Sequence, residues 1–301
     1  MEIVVFGAGS LGSLVGGLLA RTHDVTLVGR DPHVGTVRDE GLRISGAVDA
    51  TVTPDAATTV PARADLAVVT VKTFDTADAA TALSECALDV ALSLQNGMGN
   101  EATLADALSC PVLAGTCTYG ARLAAPGHVE CTGIGEVVLG ERDGGRSDVA
   151  DRVGGAFDAA GLETTVAEDM PRRLWEKLAV NCGINATTAL ARIQNGALVD
   201  GPASETARTA AREVAQVARD HGVAFTATEA TTAVSQVART TAANTSSMAQ
   251  DVQAGKRTEV DAINGYVVAH AADPVPVNET LASLVRAWEV GQGLREPSDS
   301  G

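Results

Sequence analysis

Lys177, Asn181 and Asn185 stand four residues apart in the run Trp175-Glu176-Lys177-Leu178-Ala179-Val180-Asn181-Cys182-Gly183-Ile184-Asn185. On a helix each four-residue step drifts by only about 40°, so the three polar side chains share one face. Their neighbours Leu178, Ala179, Val180 and Ile184 are apolar, so the helix is expected to be largely buried. A Lys and two Asn on a buried helix need partners, and the residue types alone leave two kinds open, internal hydrogen bonds or a ligand. The ligand reading carries a definite chemistry. Hydride addition to a ketone carbon puts negative charge on its oxygen. An ammonium beside that oxygen polarises the carbonyl and then donates the proton, while the Asn amides bind substrate hydroxyls and hold the Lys in place.

A hydride donor is foreshadowed at the other end of the chain. The loop Gly7-Ala8-Gly9-Ser10-Leu11-Gly12 follows an apolar run and opens a helical pattern, which is the context in which GxGxxG binds a dinucleotide. Gly7 permits the tight turn, Gly9 lets backbone approach a pyrophosphate, and Gly12 lets helix and strand pack closely. The helix N-terminus then offers N–H groups and positive dipole to the phosphates. Val28-Gly29-Arg30-Asp31 comes 18 residues after Gly12 at Arg30. Arg30 suits the 2′-phosphate of NADP, whereas the adjacent Asp31 is the residue type that meets an NAD ribose, so both cofactors stay open at this point. Thr70-Val71-Lys72-Thr73 and Gln95-Asn96-Gly97-Met98-Gly99 each lie just past the expected carboxyl end of a parallel strand, where open α/β sheets bind ligands; Asn-Gly can equally be a plain turn. Later, Ser246-Ser247 is a plausible helix N-cap with donors for a carboxylate, and Glu259, two residues before Asp261, reads on its own as a helix-start acid.

These groups require a scaffold of two kinds. The first half alternates short β-rich runs with helical patterns, the signature of βαβ units. Strands are expected at Ile3–Val5, Val25–Val28, Leu66–Val71, Val90–Leu94 and Val112–Ala114, with a helix over Leu11–Ala20. Val129–Cys131 and Val137–Leu139 read as a terminal hairpin near the sheet edge. After about residue 168 strand signals fade. Helices are expected over Arg172–Leu190, Gly201–His221, Glu229–Val237, Thr258–Ala271 and Asn278–Val290, with Gly222, Gly255, Pro274 and Pro276 as breaks. The fold class is therefore α/β: an N-terminal Rossmann-type doubly wound sheet (residues 1–168) and a C-terminal all-helical domain (169–295) for substrate and dimerisation. A frayed tail follows (296–301), and a substrate cleft between the domains is expected.

Composition narrows the function classes. The chain has 301 residues, 45% hydrophobic but only 3% aromatic, so aliphatic and Ala packing must build the core. A net charge of −16 repels phosphate backbones and argues against nucleic-acid partners. No apolar run reaches the roughly 18–20 residues of a membrane span, and no basic leader precedes the first strand, so a cytoplasmic protein without membrane partners is expected. Cys86, Cys110, Cys117, Cys131 and Cys182 form no C-x-x-C pair, which argues against a metal site and suits a reducing compartment. Of 22 basic residues only Lys72, Lys177 and Lys256 are Lys. Acidic excess with so little Lys points to a halophilic protein, and a surface stripped of Lys makes the remaining ones candidates for function.

Taken together, Gly7-Ala8-Gly9-Ser10-Leu11-Gly12, Gln95-Asn96-Gly97-Met98-Gly99, Lys177-x-x-x-Asn181-x-x-x-Asn185, Asn244-x-Ser246-Ser247-Met248-x-Gln250-Asp251 and Thr258-Glu259-Val260-Asp261-x-Ile263-Asn264-Gly265 resemble the 2-dehydropantoate 2-reductase (ketopantoate reductase) family in order and spacing. The resemblance runs from residue 1 to about residue 290. It implies reduction of 2-dehydropantoate to (R)-pantoate by NADPH, with NADH as the alternative, on the route to pantothenate and coenzyme A, in a monomer or homodimer. It implies Lys177 as proton donor and places Lys177, Asn181, Asn185, Asn195, Ser247, Glu259 and Asn96 at the substrate. Gly7, Ala8, Gly9, Ser10, Leu11, Gly12, Arg30, Lys72, Asn96, Gly120 and Glu259 would line the cofactor, and no metal is implied. Two departures stand out: Asp75 occupies a position often neutral in relatives, and Asn185-Ala186-Thr187-Thr188 replaces the commoner Asn-Pro-Leu-Thr. A related 2-oxo or 3-hydroxy acid dehydrogenase and a non-catalytic dinucleotide sensor are the competing readings.

Overall fold

The computed structural model describes residues 1–297. In chain order the elements are β1 (Glu2–Phe6), α1 (Ser10–Leu19), β2 (Asp24–Val28), α2 (His33–Glu40), β3 (Leu42–Gly46), β4 (Ala50–Val52), β5 (Asp55–Ala57), β6 (Arg63–Val69), α3 (Thr76–Leu83), β7 (Ala87–Ser93), α4 (Asn100–Ala107) and β8 (Val112–Cys117). They continue with β9 (Gly120–Ala125), β10 (His128–Gly133), β11 (Val137–Glu141), α5 (Asp148–Ala159) and β12 (Thr164–Val166). Six helices complete the described residues: α6 (Met170–Ala191), α7 (Ser204–Asp220), α8 (Ala227–Thr240), α9 (Ser247–Gln253), α10 (Asn264–His270) and α11 (Pro276–Gly291). Two compact units result: Met1–Gln95 with Gly99–Met170, and Asn96–Met98 with the chain from Pro171 onward.

The first unit is built on an eight-stranded sheet of order β12-β11-β8-β7-β6-β1-β2-β5. Its run β5-β2-β1-β6-β7-β8 is parallel throughout and follows the doubly wound order of dinucleotide-binding folds. The parallel strands are apolar on both faces because helices cover both. Ile3, Val5, Leu66 and Val68 pack into the core on one side, and Val4, Ala67 and Val69 into that on the other. The strand order reverses at β1, flanked by β2 and β6, so the loops after β1 and β6 open the crevice where such sheets bind ligands. A second sheet, β4-β3-β10-β9, packs beside α1.

The second unit is helical, and its core is dominated by Ala: Ala179, Ala186, Ala207, Ala210, Ala211, Ala215 and Ala218 are all buried in it. Small residues let the helices approach closely, and a methyl on Gly183 of α6 would come within 2.7 Å of the Ala207 carbonyl of α7. One ring cluster lies here: Trp175 lies 5.6 Å from His221 and 6.0 Å from Tyr266, which stacks on His270 at 3.8 Å.

Two expectations are corrected. Val129–Cys131 and Val137–Leu139 are not a hairpin. β10 pairs with β9 and β3 in the small sheet, whereas β11 runs antiparallel to β8 in the large one; the connecting Gly133–Glu136 segment carries the chain from one sheet to the other. Thr258–Ala271 is not one helix. Thr258 donates both its N–H and its hydroxyl to Glu289 at 2.7 Å, which fixes the segment start outside helical geometry; a 3-10 turn at Val260–Ala262 follows, and α10 begins after a break at Ile263. Of the expected tail, Ser298–Gly301 lie outside the described residues. Among the described residues no helix is long and apolar enough to cross a membrane.

Candidate active site

The glycine loop of the first unit is fixed by hydrogen bonds that leave its outer side clear. The N–H groups of Gly7 and Ala8 both donate to the Val28 carbonyl at 2.9 Å, which turns the chain sharply at the end of β1. Gly7 has φ +114°, and a methyl there would lie 2.7 Å from the Val71 nitrogen. A methyl on Gly12 would collide with the Gly7 carbonyl oxygen and Thr70 Oγ1. Gly9 differs: a methyl there would meet nothing nearer than the Gly7 oxygen at 3.9 Å. Space is therefore kept open over Gly9, at the N-cap of α1, where no side chain caps the helix. Two glycines are needed for packing and one faces open room, as a bound pyrophosphate requires. The Ser10 hydroxyl, expected at the cofactor, accepts the Leu123 N–H at 3.0 Å and so also ties α1 to β9. Ala8 is buried under the loop, and Leu11 is half-buried one residue into α1.

Arg30 projects from the end of β2 and pairs with Asp75 at 3.2 Å. Asp31 is committed elsewhere, since its Oδ1 accepts the Gly35 N–H at 3.0 Å at the start of α2. Lys72 is half-buried before the 3-10 turn Thr73–Asp75. Gln95, which was not among the expected site residues, clamps that turn at both ends: its Nε2 donates to the Val71 carbonyl at 3.1 Å and to Thr76 Oγ1 at 2.7 Å. Its place in the Gln-Asn-Gly-Met-Gly motif was the available signal. Gly120 starts β9, and a methyl there would strike Thr132, so close packing explains this glycine. His33, also missed, locks the back of α1. Its Nδ1 accepts the Gly127 N–H at 3.1 Å, so a neutral ring carries its proton on Nε2 and donates to the buried Ser13 hydroxyl at 2.9 Å.

In the second unit Lys177, Asn181 and Asn185 lie on the continuous helix α6 and share a face. Lys177 is half-buried and Asn185 buried. Asn181 Nδ2 is buried and has no hydrogen-bond partner. A donor in that condition costs about 1–3 kcal/mol, which a ligand's acceptor would offset. Asn195 is buried; its Nδ2 donates to Thr241 at 2.9 Å while its Oδ1 has no partner. The two serines divide their work. Ser246 is the N-cap of α9, accepting the Ala249 N–H at 3.2 Å and bonding Thr188 of α6 at 2.7 Å, whereas Ser247 is exposed. Glu259 is buried on the segment that Thr258 fastens to Glu289. Below it Arg286 and Arg295 grip Asp261, and Arg295 also bonds Glu289 at 2.8 Å. Burial raises the Asp261 pKa, but the hydrogen bonds and charges of Arg295 and Arg286 outweigh it and hold the carboxyl below its ordinary value. Asn96 belongs to this unit through the next residues, where Met98 N–H donates to the Ala262 carbonyl at 3.1 Å. Asn264 is structural: its Nδ2 donates to the Cys182 carbonyl and to Asn278, which Glu213 holds in turn.

A cavity of about 680 Å³ between α7 and α8, lined by Arg208, Arg212, Ser235 and Arg239 among others, contains none of the expected site residues. Among the described residues no three His, Cys, Asp or Glu side chains converge as metal ligands.

Comparison with known proteins supplies the frame for this arrangement. Residues 3–144 match the family model Ketopantoate reductase PanE/ApbA, and residues 169–289 match Ketopantoate reductase PanE/ApbA C terminal. The chain is 46% identical to the 2-dehydropantoate 2-reductase of Halobacterium salinarum, covering 95% of this chain and 98% of that one. It is 41% identical to that of Archaeoglobus fulgidus, covering 96% and 98%. The crystal structure of a PanE/ApbA family ketopantoate reductase from Ralstonia eutropha superposes with TM-score 0.89 at 34% identity, covering 97% of this chain and 100% of that one. A D-mandelate dehydrogenase shares the fold, with TM-score 0.92 at 22% identity. With its doubly wound sheet, its glycine loop and its helix of Lys177, Asn181 and Asn185, the chain is an oxidoreductase that belongs to the ketopantoate reductase family.

Proposed function

We propose that the protein reduces the C2 ketone of 2-dehydropantoate to (R)-pantoate with NADPH, in the cytoplasm and on the route to pantothenate and coenzyme A. The carrying observation is the α6 face, where a Lys stands with two Asn and the buried Asn181 Nδ2 lacks an internal partner. The cofactor supplies the hydride. The backbone at Gly9 and the first turn of α1 receive the pyrophosphate in the space that Gly9 leaves open. Arg30 and Lys72 supply positive charge toward the phosphates. The Lys177 ammonium polarises the ketone and gives its proton to the oxygen as charge develops there. Asn181, Asn185 and Asn195 bind substrate hydroxyl and carbonyl groups, Ser247 the carboxylate, and Glu259 and Asn96 complete the surroundings.

Lys177→Ala should lower kcat about 10²- to 10⁴-fold, the span of one general acid, while NADPH binding measured by fluorescence stays within about twofold. Unchanged turnover would remove Lys177 from the reaction. Rates with a panel of 2-oxo acids test the substrate: a better substrate than 2-dehydropantoate would transfer the protein to another 2-oxo acid reduction.

A further inference from the structure

We infer that Asp75 sets the cofactor preference, holding back the advantage that Arg30 gives to a 2′-phosphate so that NADH remains a competent partner. The inference rests on the reading of the glycine loop as a nicotinamide dinucleotide site.

Arg30 is the cation at the end of β2, and its side chain is 88% exposed. Nothing buries it, so its direction depends on its partners. Asp75 Oδ2 lies 3.2 Å from its Nη2, although 45 residues separate the two in sequence. Asp75 stands at the N-cap of α3, where an Asp normally accepts a helix N–H, yet here its side chain makes no such bond. The carboxylate is turned to the guanidinium instead. Its backbone is held by the Asp75 N–H to Lys72 carbonyl bond at 2.8 Å, and the turn is pinned by Gln95, so the acid does not swing away freely. The other acid beside Arg30, Asp31, spends an oxygen on Gly35.

The consequence is electrostatic. A 2′-phosphate carries nearly two negative charges and seeks a bidentate guanidinium. It would meet a guanidinium already neutralised and a carboxylate of like charge on the same group. Binding then requires either breaking the Arg30–Asp75 pair or tolerating the repulsion. A ribose 2′-hydroxyl meets neither obstacle and can donate a hydrogen bond to the carboxylate.

Dissociation constants for NADPH and NADH, measured by fluorescence titration of the full chain, test this. Asp75→Asn should tighten NADPH about tenfold, the effect of one charge a few ångströms away near a surface, and leave NADH unchanged or weaker. Raising KCl should shrink that gain, since the Debye length falls to about 3 Å at 1 M. Asp75→Ser, which keeps a small polar group at the N-cap of α3, should reproduce the shift if the Asn variant folds poorly. In an Arg30→Ala background the Asp75→Asn gain should be smaller, because no guanidinium is released. Equal changes for both cofactors, or no change, in a folded variant would overturn the inference while leaving the dinucleotide reading intact. Failure of the unmodified protein to bind either cofactor would overturn both.

Discussion

Asn181 is the residue at which the proposed substrate face is most directly tested. Its buried Nδ2 has no partner, an expense that folding alone gives no reason to keep. Asn181→Leu, which keeps the branched outline without a polar group, should raise the free energy of unfolding by about 1 kcal/mol and raise KM for 2-dehydropantoate at least tenfold. Denaturant titration and steady-state kinetics on the same preparation check both, and a variant that loses stability would assign the amide a structural role. His33 presents the opposite case, a polar side chain whose bonds are complete. Burial pushes its pKa below the ordinary 6.5. Protonation would turn Nδ1 from acceptor to donor and break the bond from Gly127. Its contribution to stability is therefore full above pH 6.5 and is lost as pH falls from 6.5 through the folded-state value. His33→Leu should lose stability at pH 7.5 and show a flatter decline between pH 7.5 and 5.5 than the unmodified protein in urea titrations.

Among the elements, α6 is held at its start by side chains of the neighbouring helix. Arg172 reaches Glu229 at 2.8 Å, and Glu229 closes a capping box with Thr226 at the N-terminus of α8. The hydrogen bonds from Thr226, aided by Arg172, lower the Glu229 pKa from 4.5 to about 2. The lowered value means that this carboxylate favours the folded state above pH 4.5 and ceases to do so as pH falls toward 2. Thr226→Ala should cost about 1 kcal/mol by chemical denaturation, and a loss below a few tenths would show the cap to be redundant. At this scale the sequence was readable where one element declares itself. The apolar runs of β1, β6 and β7 and the four-residue spacing on α6 identified their elements directly. Partnership between elements was less readable. Val129–Cys131 and Val137–Leu139 carry the same kind of apolar pattern, and nothing within either names β3 or β8 as its neighbour. The helix α5 went unread although Ser147 caps it, because Gly154 and Gly155 weaken its pattern. Gln95 and His33 work through bonds to residues 19 to 94 positions away, which no local motif encodes.

For the whole molecule, charge is the dominant property. A net charge of −16 on 301 residues favours expansion, and Arg rather than Lys supplies nearly all the compensating cations. Several are drawn into defined bonds, as Arg286 and Arg295 are with Asp261. Screening at molar salt weakens the net repulsion more than it weakens buried pairs. The melting temperature should therefore rise between 0.1 and 2 M KCl; a flat or falling value in calorimetry would contradict halophilic adaptation. Salt is thus expected to enter twice, by steadying the fold and by muting the proposed Arg30–Asp75 contest over the cofactor.

The scarcity of aromatic rings has a spectroscopic side. Trp175 and Trp288 are the only tryptophans, and both belong to the second unit. Intrinsic indole emission is in effect a label already installed on the helical half, while far-ultraviolet dichroism reports the backbone of both halves. Recording both during one denaturant titration separates the melting of the two halves without adding a dye. Coincident curves would mean that they unfold as one cooperative body.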